Sequence, residues 1–188
     1  MLSIELKEAT KVNHQSLEKQ LIAVIRSIHN KRDYAKLLVA FYGFIAGLEI
    51  NINTHIDLSV LPDYANRRKS AALANDLHLL GVPLPPLPDA NALPPINDHY
   101  QALGALYVME GSTLGGKIIC KMIQQQLMLT DMSELTFFYG YGGETDSMWQ
   151  RFKDTMDNVQ NENKKDRIIQ SANDIFVLFK QWFNASAF

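Results

Sequence analysis

"MEGSTLGG", residues Met109 to Gly116, carries three glycines in eight positions. It lies inside a long apolar-periodic segment, "YQALGALYVMEGSTLGGKIICKMIQQQLML", residues 100–129. Glycine inside a helix costs roughly 1 kcal/mol relative to alanine. A chain that accepts this cost three times in one place either lays its backbone against something flat and bulky or wraps a phosphate. For the phosphate reading, Gly111 to Lys117 matches the first seven positions of G-x-x-x-x-G-K-[ST]. The next residue is Ile118, not the serine or threonine that would hold magnesium. "ALGALYVM" passes for a buried strand, yet no βαβ alternation surrounds it. For the helical reading, Gly104, Val108, Gly111, Gly115 and Ile119 share one face, with Ser112 beside them. Such a face suits close helix packing or a ligand groove. The hydroxyls of Ser112 and Thr113 tilt the choice towards a ligand.

Composition sets the bounds. The chain has 188 residues, 47% apolar and 20% charged, which fits one domain over 1–188 with a sizeable core. The net charge of -2 gives no basic excess for a nucleic-acid surface. "MLSIELKEATK" has polar residues from the third position and lacks a signal-peptide core. No apolar run reads as the ~20 residues of a membrane span. The expectation is a soluble, cytoplasmic protein with no membrane partner. Cys120 is the one cysteine, so an internal disulfide and all-cysteine metal sites are excluded. Among Ile118, Ile119 and Met122 it reads as a small buried hydrophobe.

Outward from the glycines, apolar spacing is helical almost everywhere. Leu6, Thr10, His14, Leu17, Leu21, Val24 and Ile28 form one stripe, with Ser3 placed to cap its start. A strongly apolar helix is expected from Tyr34 to about Ile56, and a shorter one over "SAALANDLHLL". The prolines of "GVPLPPLPDANALPP" forbid regular helix there. The glycine-bearing helix should run from about Asp98 to Leu129. A loop rich in glycine and aromatics follows, then a helix capped by Thr145 or Asp146, then a last helix over "KKDRIIQSANDIFVLFKQWF". The fold class is all-α, a bundle of six or so helices.

His14 has Thr10 one turn before it and Glu18 one turn after. A histidine on an apolar stripe is either a satisfied core residue or a haem-iron ligand. A ligand needs its other ring nitrogen fixed by an acceptor, and Glu18 is within reach. Lys7 and Lys11 are a solvated face or partners for propionates.

These residues carry a resemblance. "LKEATKVNHQSLEK" resembles the proximal helix of haem oxygenases, L-x-x-x-T-x-x-x-H-x-x-x-E, with Leu6, Thr10, His14 and Glu18 in place. "MEGSTLGG" resembles the family's distal helix, whose G-x-x-x-G-G is met by Gly111, Gly115 and Gly116. "FYGFIAGLE" is similar to the second helix. "FFYGYGGETDSMWQRF" is similar to short bacterial members, including those that accompany bacteriophytochromes.

The resemblance implies a single-domain helical bundle with haem between a proximal helix and a kinked, glycine-rich distal helix. It implies opening of haem to biliverdin, with release of carbon monoxide and ferrous iron. Haem b would be both substrate and cofactor, and O2 a co-substrate. The sequence shows no flavin or nicotinamide site, so an external ferredoxin or reductase would supply electrons. By resemblance His14 is the axial ligand, Glu18 orients it, and Thr10, Lys7 and Lys11 help hold the haem. Gly111, Ser112, Gly115 and Gly116 form the distal side. Mammalian-type members carry an aspartate where this chain has Ser112, a weaker organiser of water and no acid near neutral pH. Lys164, Lys165, Arg167 and Lys180 are propionate candidates on chemistry alone. The second functional reading is a haem-binding protein on the same scaffold that stores, delivers or senses haem. His29, His55, His78 and His99 read as surface or structural.

Overall fold

A computed structural model describes residues 1–89 and 92–186. Among the described residues there are eight α-helices and no strand. They are α1 (Leu2–Arg26), α2 (Lys31–His55), α3 (Ser70–Leu79), α4 (His99–Gly111), α5 (Gly116–Leu127), α6 (Thr136–Tyr139), α7 (Thr145–Asp157) and α8 (Glu162–Ala185). "ALGALYVM" is therefore helix, and the phosphate-loop alternative falls with its missing strand. The proline segment is free of helix over its described residues up to Asp89, while residues 90 and 91 of the expected connection lie outside the described ones.

α1 lies along α8, to which three side-chain pairs bind it: Asn13 to Asn173, Lys180 to Ser16, and Gln20 to Asn184, each at 2.7 Å. Both series ascend, so the two helices run parallel. Ser3 does not cap α1. Met1 stands at the cap position, and Ser3 donates from its backbone N–H and its hydroxyl to Asp157 of α7, at 2.7 and 2.8 Å. The helix simply begins earlier than its apolar stripe, and Ser3 pins its first turn.

α2 is the core helix. Asn30 caps it by accepting from the Asp33 N–H. Phe41 sits among Phe137, Phe138, Phe179 and Phe183, with ring centroids 5.1–5.6 Å away. Each such pair adds about 0.5–1.5 kcal/mol beyond the area it buries. By length and hydropathy α2 also meets the requirement for a membrane span, against the sequence expectation. Charged residues at its start and Glu49 near its end hide the apolar window between them. That window is 67% buried against neighbouring helices, as a core helix requires.

α4 packs closely on α8 at Gly104, where a Cβ would lie 2.5 Å from the Ile168 carbonyl oxygen. The expected helix from Asp98 to Leu129 is interrupted. Ser112–Gly115 tightens into a 3-10 turn between α4 and α5. The cause is local: Ser112 and Thr113 donate back to the carbonyls of Met109 and Glu110, at 2.7 and 2.6 Å. Such back-bonding competes with the helical ladder, and the neighbouring glycines lower the cost of leaving it.

The glycine-aromatic stretch before α7 also holds structure. α6 is anchored by buried Asp76 of α3, which accepts from the backbone N–H of Thr136 and Phe137 and from the Thr136 hydroxyl. α7 starts at Thr145 without a side-chain cap, so the expected caps are corrected. The Thr145 hydroxyl instead donates to the Gly142 carbonyl at 2.9 Å, inside a preceding 3-10 turn.

Candidate functional site

α1 meets α8 through its polar edge and, at His14, through the ring of Phe176. Asn13, Ser16 and Gln20 face α8. Lys7, Lys11, His14 and Glu18 recur at three- and four-residue steps on another edge. All four are exposed, so the reading of His14 as a satisfied core histidine is set aside. The His14 ring makes no hydrogen bond among the described residues. It meets the ring of Phe176 edge-on, 5.4 Å between centroids. Glu18 does not hydrogen-bond it in this structure. Thr10 is buried and donates to the Leu6 carbonyl at 2.7 Å, with the Tyr107 hydroxyl of α4 close beside it. Burial raises the Tyr107 phenol, and the bond to Thr10 pulls it the other way.

Two side-chain contacts bracket the gap between α1 and the glycine segment. One is Thr10 with Tyr107. The other lies about 24 Å further along α1, where Gln126 of α5 donates to the Arg26 carbonyl at 3.2 Å. His14 falls between them on one strand of this frame, and Gly111 and Gly115 fall between them on the other. A Cβ at Gly115 would meet nothing within 4 Å. One at Gly111 would touch only Trp149, at 3.7 Å. Trp149 in turn lies 5.6 Å from the Tyr107 ring. The backbone is thus bare towards open space at Gly115, and at Gly111 it faces an aromatic ring. Gly116 is different: a Cβ there would overlap the Phe138 carbonyl, so it serves packing, as Gly104 does. Close packing accounts for Gly104 and Gly116, whereas no packing neighbour accounts for Gly115.

Behind the turn stands a polar cluster. Glu110 of α4 is buried and accepts from Arg67 at 2.7 Å and from the Tyr141 hydroxyl at 2.9 Å. Arg67 also grips Asp63 with two bonds, at 3.0 and 2.9 Å. Removing one partner of such a buried pair costs about 3–5 kcal/mol. The Arg68 backbone N–H donates to the Tyr141 hydroxyl at 2.7 Å. Its guanidinium lies 4.1 Å from the Phe137 ring centroid and donates to the Phe137 carbonyl (3.3 Å), the Met109 carbonyl (2.6 Å) and Ser112 Oγ (2.5 Å). Burial pushes the Arg68 pKa down while Glu110 and Tyr141 hold it up. Burial and the Glu110 charge push the Tyr141 phenol up, which keeps it a donor. Thr113, expected to face a ligand, is buried with its hydroxyl on the Glu110 carbonyl.

A family model described as "Heme oxygenase" matches residues 1–185. The chain belongs to the haem oxygenase family. It is 28% identical over 155 residues to a heme oxygenase of Xanthomonas campestris pv. campestris (strain 8004), a match spanning 82% of this chain and 90% of the relative. Its fold is similar to that of heme oxygenase 2 from Chlamydomonas reinhardtii, solved without heme (TM-score 0.80, 17% identity, 99% of this chain and 97% of that one). It is similar also to heme oxygenase-2 from Synechocystis sp. PCC 6803, solved with heme and NO (TM-score 0.75, 18% identity, 97% and 84%). The all-α haem oxygenase fold expected from the sequence is the fold observed.

The basic residues expected to meet propionates are already engaged. Arg167 pairs with Asp98, Lys165 with Glu162 at 2.7 Å, and Lys180 with Ser16. The Lys164 ammonium lies 5.0 Å from the Tyr100 ring centroid. Lys11 has only a long contact with Glu8, 3.9 Å between two exposed groups. Of the other histidines, His29 and His78 are exposed, and His55 pairs with the Asn51 carbonyl. His99 accepts the Asp57 N–H on Nδ1, and burial lowers its pKa. Burial pushes the Cys120 thiol up to about 11, consistent with an inert core residue. A groove of about 410 Å³ beside α2, walled by Val39, Val82, Pro85, Pro86 and Trp182, has no histidine, cysteine or carboxylate in its lining.

The cluster of Arg67, Arg68 and Tyr141 was not read from the sequence. Apart from Asp63, four positions before Arg67, its partners lie 31 to 81 positions apart, beyond any helical period. One signal existed: Glu110 is the one carboxylate in the apolar run before Gly111, and a buried charge demands a partner.

Proposed function

We propose that the chain holds haem b between α1 and the Ser112–Gly115 turn and opens it to biliverdin. Bound haem would supply the redox chemistry, consuming O2 and electrons from an external ferredoxin or reductase and yielding carbon monoxide and ferrous iron. The reading rests on one observation: an exposed imidazole without a hydrogen bond among the described residues shares a frame with Gly115, whose Cβ position is open, and Gly111, whose Cβ position meets only the Trp149 ring. The donor set fits the group. A neutral imidazole suits haem iron, bare glycine backbone suits a flat macrocycle, and Lys7 and Lys11 suit its carboxylates.

In this reading His14 would hold the haem iron. Glu18, exposed one turn on, orients the ring by accepting from its second nitrogen. Thr10 fixes the spacing of α1 from α4 through Tyr107. Gly111 and Gly115 leave room above the ring, and Ser112 holds a water beside it. Orientation of the macrocycle in this frame sets which edge is attacked. We place the activity in the cytoplasm, with residues 1–188 acting as one domain.

Titration with hemin tests the assignment. The wild-type chain should give a sharp Soret band of a histidine-bound haem. His14→Ala should lose that spectrum, and added imidazole should restore it, which a misfolded variant would not allow. An unchanged Soret band in His14→Ala removes His14 from the role.

A further inference from the structure

The break between α4 and α5 leaves the Met109 carbonyl without its helical partner, and two side chains take it over. Arg68 Nη2 donates to it at 2.6 Å and Ser112 Oγ at 2.7 Å. The second Nη2 proton of Arg68 goes to Ser112 Oγ at 2.5 Å. The Ser112 hydroxyl has one proton and two lone pairs. Its proton is on Met109 and one lone pair is on Arg68, so it presents a single acceptor site to the cleft.

Among the described residues, the hydrogen-bond acceptors of the Arg68 guanidinium are neutral: two carbonyls and a hydroxyl. Glu110, the nearby carboxylate, is bonded to Arg67 and Tyr141. Ring contact with Phe137 and the bond from its own N–H to Tyr141 fix Arg68 from both ends. A permanently charged group is therefore locked against the back of the glycine turn, directly behind Ser112. Where the mammalian-type motif has a carboxylate, this chain has a neutral serine backed by Arg68.

We propose that Arg68 is the positioning residue of this wall, acting through Ser112, and that its fixed positive charge makes the cleft opposite His14 selective for anionic ligands. The inference rests on the haem reading above. It goes beyond that reading in assigning a role to Arg68 and a ligand class to the distal side.

The test uses the ferric haem complex and two probes, azide as the anion and imidazole as the neutral ligand, followed by Soret titration. Arg68→Lys keeps the charge without the fork, whereas Arg68→Gln keeps a donor without the charge. Azide affinity should stay within about twofold in Arg68→Lys and fall about tenfold in Arg68→Gln, as for one charge roughly 10 Å away at an effective dielectric near 20. Imidazole affinity should be the same in all three proteins. Ser112→Asp, which leaves Arg68 in place and neutralises it, should lower azide affinity at least as far, and it serves if Arg68→Gln does not fold. A purely structural role predicts that the Lys and Gln variants behave alike and that azide and imidazole shift together. That result, or equal azide affinity throughout, overturns the proposal while the haem reading stands. A wild-type chain that gives no Soret band ends both.

Discussion

A methyl group added at Gly116 would overlap the Phe138 carbonyl, whereas one added at Gly115 meets nothing within 4 Å. Gly115 has φ -80° and ψ -12°, ordinary right-handed backbone that alanine adopts without strain. The two neighbours should respond oppositely to the same change. Gly115→Ala should stabilise the protein without haem by about 0.5–1 kcal/mol, because alanine has less conformational freedom to lose. Gly116→Ala should destabilise it by about 1–3 kcal/mol, the usual cost of overpacking. Thermal or urea unfolding of the two variants checks this, and equal shifts would contradict the division of roles. The same Gly115→Ala change should crowd the cleft and slow turnover. At this scale the sequence was legible where a helical period carries the information: Thr10, His14 and Glu18 on one line, Gly111 and Gly115 on another. It was not legible where a contact joins distant segments. Nothing local says that Gly116 meets Phe138, or that Arg68 reaches Ser112.

Among elements, the decisive feature is the break between α4 and α5. The glycines and hydroxyls that cause it are visible in "MEGSTLGG", yet the apolar period runs through them, and a continuous helix was the natural reading. α6 was missed for a different reason. A four-residue helix has no nucleus of its own and exists because Asp76 supplies the partners for its first N–H groups. Burial pushes the Asp76 carboxyl pKa up, and the bonds from Phe137 and Thr136 oppose that. Asp76→Ala should therefore free the backbone of Thr136 and Phe137 and cost about 2–3 kcal/mol, the penalty of leaving buried donors unpaired plus the bonds lost. Hydrogen exchange at the Phe137 amide should accelerate. Undiminished protection there would show that α6 stands without α3. Since Phe137 also stacks under Arg68, loosening α6 should disturb the distal wall too.

For the whole molecule, the all-α class followed from periodicity, and the resemblance named the family before any contact was known. What the sequence alone did not give was the frame: α1 held parallel to α8 by three polar pairs, then tied to α4 at Thr10 and to α5 at Arg26. These ties leave Lys11, His14 and Glu18 exposed while Thr10 and Leu17 are buried. Such an opening makes sense for a large flat ligand and wastes apolar burial otherwise. The central claim is that this opening is a place where haem is held and broken open. The most direct measurement adds hemin to the purified chain and follows the visible spectrum while an electron donor is supplied in air, with catalase present to remove free peroxide. The expected result is a sharp Soret band that decays into the spectrum of biliverdin. A Soret band that persists with several electron donors would contradict the oxygenase claim and leave a haem-binding protein, and no Soret band at all would contradict the site itself.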